Sequence, residues 1–348
     1  MWAHGVLSND SGGSFGADLL GRLTTSVVGR RRELEAAVAA LAAKRHLLLE
    51  GPPGTGKSTL LRSIAQGAGT GFVFVEGNAE LTPSRLIGVF DPAAVISDGY
   101  TADAFVPGPL MRALQEGSLL YLEEVNRIPE ETLNVLITVM SEHELHVPRL
   151  GRVAAADGFR LVAAMNPFDA IGTARIASAV YDRCCRLAMG YQSAEEETDI
   201  VLAAPAGTST EASGGAAKPA DVPSRAFVRA VVDLVRATRD HHDIRSGSSV
   251  RGAIDLVLLL GPLAGLREVQ PDDESVTLDA TLLALSGRIR VHESSSHTPE
   301  EILTKLWEQH LRGLTFNSEP SSAEDPSADP DMAPGQEFSE STGNQGKA

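Results

Sequence analysis

The chain has 348 residues, 43% of them hydrophobic, enough to bury a sizeable core in two domains or one large one. Its formal net charge of −16 argues against a general affinity for the nucleic-acid backbone, which needs clustered cations, but leaves room for a local basic patch. The two cysteines, Cys184 and Cys185, are adjacent, a spacing that suits neither a structural disulfide nor a metal site, so a reducing, cytoplasmic compartment is expected.

Residues 1–20 are rich in Gly, Ser and Asp and lack periodicity, which predicts a loose leader. No charged segment followed by an apolar one, as a signal peptide requires, begins the chain. RRRELEAAVAALAAKR carries apolar residues at helical spacing among strong helix formers and predicts an amphipathic helix. Five short apolar runs follow: HLLLEG, FVFVEG, LLYLEE, FRLVAAMNP and CRLAMG. Helix-like segments, KSTLLRSIAQGA and ETLNVLITVMSEH among them, lie between the runs. Such alternation predicts an α/β fold with a parallel five-stranded sheet flanked by helices. The runs are apolar throughout, as strands buried on both faces should be.

Beyond the sheet, the expected core spans residues 21–195. A small, polar, Pro- and Gly-bearing stretch (196–222) predicts a flexible segment. Residues 223–314 read as helices only, a smaller all-α domain, and 315–348 as a disordered acidic tail. The longest apolar run, AIDLVLLLGPLAGL, holds Asp255 and Pro262 and is too short to span a bilayer.

GPPGTGKS fits the phosphate-loop pattern at every fixed position, between a strand candidate and a helix candidate. Gly51, Gly54 and Gly56 let the backbone wrap closely and aim its N–H groups inward, with Pro52, Pro53 and Thr55 completing the turn and Thr59 following it. Lys57 would reach the β- and γ-phosphates of ATP, and Ser58 would ligate Mg²⁺ through its hydroxyl. LLYLEE then poses a question, because a buried strand should not end in two like charges without cause. A hydrolysing phosphate loop needs a carboxylate for the Mg²⁺ shell and a base for the attacking water. Glu123 and Glu124 supply them in that order, Glu123 as metal ligand directly or through water and Glu124 as catalytic base. The extra methylene of Glu over Asp favours the water-mediated contact, since Mg²⁺ demands near-ideal octahedral geometry.

GPPGTGKST, LLYLEEVNRIPEETLNVLITVM, LVAAMNP and AVYDRCCRL, in this order, resemble the AAA+ ATPases of the MoxR group, relatives of the magnesium chelatase motor subunit. The resemblance spans about residues 23–311 and implies a P-loop NTPase core with a helical lid. It implies that VVGR (Val27–Arg30) lies beside the adenine, that Asn166 positions the attacking water, and that Arg183 is a catalytic finger reaching a neighbouring subunit's γ-phosphate, with Arg186 a nearby competitor. It also implies that Arg251 opens a lid helix and touches the γ-phosphate in its own subunit. ELHVPRLGRV and DPAAVISDGYTADAFVPGPLMRAL would form hairpin insertions that contact clients. The implied protein is a homo-oligomeric, hexameric ring that hydrolyses ATP with Mg²⁺ to remodel or assemble a client protein, with a von Willebrand factor A domain protein as a typical partner. Two alternatives stand beside it, an ATP-dependent binding switch with little turnover and a chelatase-type motor subunit.

Overall fold

The computed structural model describes residues 15–24, 27–167, 178–208 and 223–316. The rest of the expected leader, the flexible segment beyond residue 208 and the acidic tail beyond residue 316 lie outside the described residues.

All five apolar runs are strands of one parallel sheet: His46–Glu50, Phe72–Glu76, Leu119–Glu123, Arg160–Met165 and Cys184–Ala188. Numbered one to five in chain order, they lie side by side as 2-3-4-1-5. Alternate side chains of a strand leave opposite faces, and here both faces are apolar. Leu47 and Leu49 of the first strand join Leu34, Leu41, Leu60 and Ile64 on one face. Leu48 joins Leu110, Leu114, Leu136 and Val139 on the other. The first face is covered by helices Ala17–Leu23, Arg31–Ala42 and Lys57–Ala68, the second by Pro109–Glu116 and Glu130–Glu142. Being parallel, the strands carry all their C-terminal ends to a single edge. The register sets Glu50 beside Met165 and Ala188, and Glu76 beside Glu123.

Three expectations are corrected. Ala17–Leu20 of the predicted leader are helical, because Leu19 and Leu23 bury against the sheet's first face. Part of the predicted flexible segment, residues 196–208, is most of helix Ala194–Thr208, whose Val201 sits in the core of the C-terminal helical domain, so that domain begins earlier than expected. That domain is also not purely helical. Beside helices Arg225–Asp240, Val250–Arg267, Glu274–Leu285 and Pro299–His310, Ile244–Ser246 pairs antiparallel with Arg290–Val291.

The two insertions are hairpins. Glu144–Val147 pairs with Gly151–Ala154, and Gly88–Phe90 with Phe105–Pro107. They touch through the Arg149 guanidinium, 3.8 Å from the centre of the Tyr100 ring. Val89, Ile96 and Val106 on the second insertion are exposed.

His46 opens the first strand almost fully buried, its Nδ1 accepting the Leu161 N–H at 2.9 Å. Burial, and then the neighbouring His143 and Arg160, lower its pKa from 6.5 to about 4. Between these values the unfolded chain binds the proton that the folded chain refuses, so stability falls as pH drops through 6.5 and bottoms out near 4, by about 3 kcal/mol. Urea melts at pH 7 and pH 4.5 should show this loss. His46→Asn, which keeps an acceptor for Leu161 and cannot titrate, should lose markedly less.

Candidate nucleotide-binding site

The loop leaving the first strand runs from Gly51 into the helix Lys57–Ala68, so the helix N-terminus, with its orphan N–H groups, opens on the loop. Gly54 (φ 74°) and Gly56 (φ 81°) hold left-handed backbone that a side chain would strain. Space argues in the same direction. A Cβ on Gly51 would come within 2.1 Å of the Met189 carbonyl, and one on Gly54 within 2.1 Å of Ser249 Oγ. Thr55 Oγ1 closes the turn onto the Pro52 carbonyl at 3.0 Å, while Pro53 and Thr59 are exposed.

Lys57 is 8% exposed and donates to the carbonyls of Gly51 (2.8 Å) and Pro52 (2.9 Å). Burial lowers its pKa; Glu123 opposes that shift, and the positive charges of Arg251 and Arg30 add to it. Ser58 Oγ lies 3.2 and 3.3 Å from the two oxygens of Glu123 and 3.4 Å from the Tyr121 hydroxyl. Burial pushes the Tyr121 hydroxyl's pKa upward, which keeps it protonated.

Glu124 begins the turn after the third strand in left-handed backbone (φ 54°, ψ 44°), and its carboxylate pairs with Arg127 at 3.0 Å. Gly77 packs beneath the two glutamates: its N–H donates to the Glu123 carbonyl at 2.7 Å, and a Cβ there would lie 2.5 Å from the Glu124 carbonyl. Asn166 follows the fourth strand directly, one residue past Met165, whose carbonyl accepts the Gly51 N–H at 3.2 Å.

Seven of the expected groups therefore share one sheet edge: the loop glycines, Lys57, Ser58, Glu123, Glu124, Asn166 and, from the helical domain, Arg251. Arg183 is placed elsewhere. It ends helix Ser178–Arg183 at the N-terminal end of the fifth strand, where Cys184 pairs with His46. From there to Glu50 is four residues of strand, about 13 Å at the usual rise. Its Nε donates to Ser141 Oγ (2.5 Å) and Nη1 to the Ala179 carbonyl (3.0 Å). Arg186 is held by its own chain, Nε donating to Glu50 at 2.5 Å. Cys184, half-buried, packs against Met140, with its thiol pKa pushed up to about 12 by burial and then by Cys185, while Cys185 itself is exposed.

Two contributors were not foreseen. Arg30, at the end of VVGR, is 4% exposed and ties three segments together. It pairs with Glu33 at 2.7 Å and donates to the carbonyls of Thr55 (2.9 Å) in the phosphate loop and Gly190 (2.7 Å) after the fifth strand. Ser249, which precedes the helix carrying Arg251, is the lid residue that touches Gly54.

The donor set suits a polyphosphate with a hard cation. Lys57, Arg30 and Arg251 gather positive charge at a glycine loop where Gly51 and Gly54 leave no room for a side chain. The hydroxyl and carboxylate oxygens of Ser58 and Glu123 are the ligand type that Mg²⁺ takes.

Residues 46–184 match the AAA domain of the dynein-related subfamily. The chain therefore carries an AAA domain and is similar to AAA+ ATPases. Among its relatives is the uncharacterized protein YeaC of Bacillus subtilis, 29% identical over 262 residues, an alignment covering 71% of this chain and 79% of YeaC. Another is the gas vesicle ATPase GvpN2 of Halobacterium salinarum, 28% identical over 295 residues and covering 80% and 77%. A solved structure of a RuvB variant from Thermotoga maritima superposes with a TM-score of 0.48 at 18% identity, over 74% of this chain and 70% of that one. Among the described residues, no helix is long and apolar enough to cross a membrane.

Proposed function

We propose that the chain hydrolyses ATP at the Gly51–Ser58 loop as one subunit of a homo-oligomeric ring, and uses the cycle to remodel or assemble a client protein complex. The observation that carries this reading is the meeting of Ser58 and Glu123 at 3.2 Å beside Lys57, with Glu124 next in the chain. In this reading Lys57 exchanges the Gly51 and Pro52 carbonyls for phosphate oxygens. Ser58, and Glu123 directly or through a water, would hold Mg²⁺, which would supply charge neutralisation at the phosphates. Glu124 takes the proton of the attacking water and Asn166 orients that water. Arg251 reports phosphate occupancy to the lid, which already touches the loop through Ser249.

Arg183, a strand's length from its own loop, acts on the nucleotide of the next subunit. The exposed apolar side chains of the stacked hairpins face the client. The gas vesicle ATPase among the relatives supports a task in building a protein assembly, and a partner with a von Willebrand factor A domain remains the expected adaptor.

A second reading, a nucleotide-dependent switch with little turnover, is favoured by the Glu124–Arg127 ion pair, which occupies the base. Phosphate release per subunit, measured against protein concentration, tests both. Under the first reading it rises steeply as rings assemble, and Lys57→Ala abolishes both release and ATP binding. Negligible release at every concentration with ATP still bound supports the switch, and full activity in the dilute monomer sinks the ring.

A further inference from the structure

Glu50 ends the first strand with a buried carboxylate, 5% exposed, directly before Gly51. A charge so buried needs partners, and it has two. The Tyr181 hydroxyl donates to one oxygen at 2.9 Å, and Arg186 Nε donates to the other at 2.5 Å. Burial and then the Glu50 carboxylate raise the Tyr181 pKa to about 12, so the phenol remains a donor at neutral pH. Tyr181 and Arg183 lie two residues apart on the short helix Ser178–Arg183.

The backbone around Glu50 is equally committed. Its carbonyl accepts the Met189 N–H at 2.7 Å, and the next residue, Gly51, donates to Met165. A continuous set of bonds thus connects the backbone at Gly51 to the Glu50 carboxylate, and that carboxylate through Tyr181 to the helix that carries Arg183.

We propose that Tyr181, Glu50 and Arg186 form a positioning network that couples a subunit's own phosphate loop to the finger it presents to its neighbour. The proposal rests on the ring reading above and adds to it a route by which occupancy at one site sets the finger geometry at the next. Tyr181 acts through Arg183 and Arg186 through Glu50, and neither touches the nucleotide. The proposal also assigns separate parts to the two arginines. Arg186 is the partner of Glu50, and Arg183 is the finger.

The test uses the full-length protein in its assembled state. Tyr181→Phe removes a single hydroxyl and keeps the ring packing, and Arg186→Gln provides a second variant. Binding of a fluorescent ATP analogue, kcat, and the Hill coefficient for ATP are measured for each. The expected result is analogue affinity within twofold of wild type, kcat lower by about tenfold for the loss of one hydrogen bond to a charged group, and a Hill coefficient that falls to one. A merely structural role would change the thermal midpoint and leave the Hill coefficient alone. Wild-type kcat and cooperativity in Tyr181→Phe overturn the proposal while leaving the ring reading intact. Weakened analogue binding with wild-type cooperativity also overturns it, by confining the network to its own loop. Wild-type turnover that does not depend on protein concentration removes the trans site, and the proposal falls with the ring.

Discussion

Glu124→Gln should bind ATP as wild type does and release phosphate about 10²- to 10⁴-fold more slowly, the range attributed to a positioned general base. Glutamine matches glutamate in shape and can still hold the water, but it cannot take the proton. The structure adds a reason to expect a clean effect. Glu124 is held in left-handed backbone, which costs a residue other than glycine of order 1–3 kcal/mol, and such strain collects at functional sites. Gly77 fits beneath it only because it lacks a side chain. The turn thus fixes the backbone at this position, and the carboxylate pairs with Arg127 within the same turn. Single-turnover phosphate release beside a nucleotide titration checks this. Unchanged release would move the base to another residue, and loss of binding as well would make Glu124 a folding residue.

How much of this was legible in the sequence follows from which interactions are local. The three central strands announced themselves because a strand buried on both faces is apolar at every position, while the two edge strands, largely half-buried or exposed, were legible from a similar run bounded by Gly or charge. The phosphate loop was legible because its glycines and Lys57 serve backbone geometry and charge at fixed spacing. Glu123 and Glu124 were found by asking why charge should end an apolar strand. The same question applied to HLLLE would have singled out Glu50, whose partners Tyr181 and Arg186 lie more than 130 residues away and carry no spacing signal.

Arg30 was hidden for a similar reason. VVGR marks its place by resemblance, but nothing local says that the guanidinium folds inward to the Thr55 and Gly190 carbonyls. Helix Ala17–Leu23 was missed because its burial depends on two leucines among polar and glycine residues. The pair Ile244–Ser246 with Arg290–Val291 was missed because strands of two or three residues are too short to show a period.

Arg183→Ala should lower turnover by about 10³-fold or more while leaving ATP affinity nearly intact, since a finger arginine stabilises charge that develops only in the transition state. A loss of activity alone would be ambiguous, because Arg183 also bonds Ser141 and Ala179 and its removal could loosen the end of its helix. Mixing separates the two causes. In a head-to-tail ring, every site combines the loop of one subunit with the finger of the next. Lys57→Ala subunits lack a working loop but carry Arg183, and Arg183→Ala subunits have the reverse. Each alone should be nearly inactive. An equal mixture that assembles at random should recover about a quarter of wild-type activity, the fraction of interfaces joining an intact loop to an intact finger. Complementation cannot repair a subunit that fails because its own helix has loosened, so recovery assigns Arg183 to the neighbour's nucleotide. No recovery, with both variants shown to co-assemble, would return Arg183 to a purely structural part in its own chain.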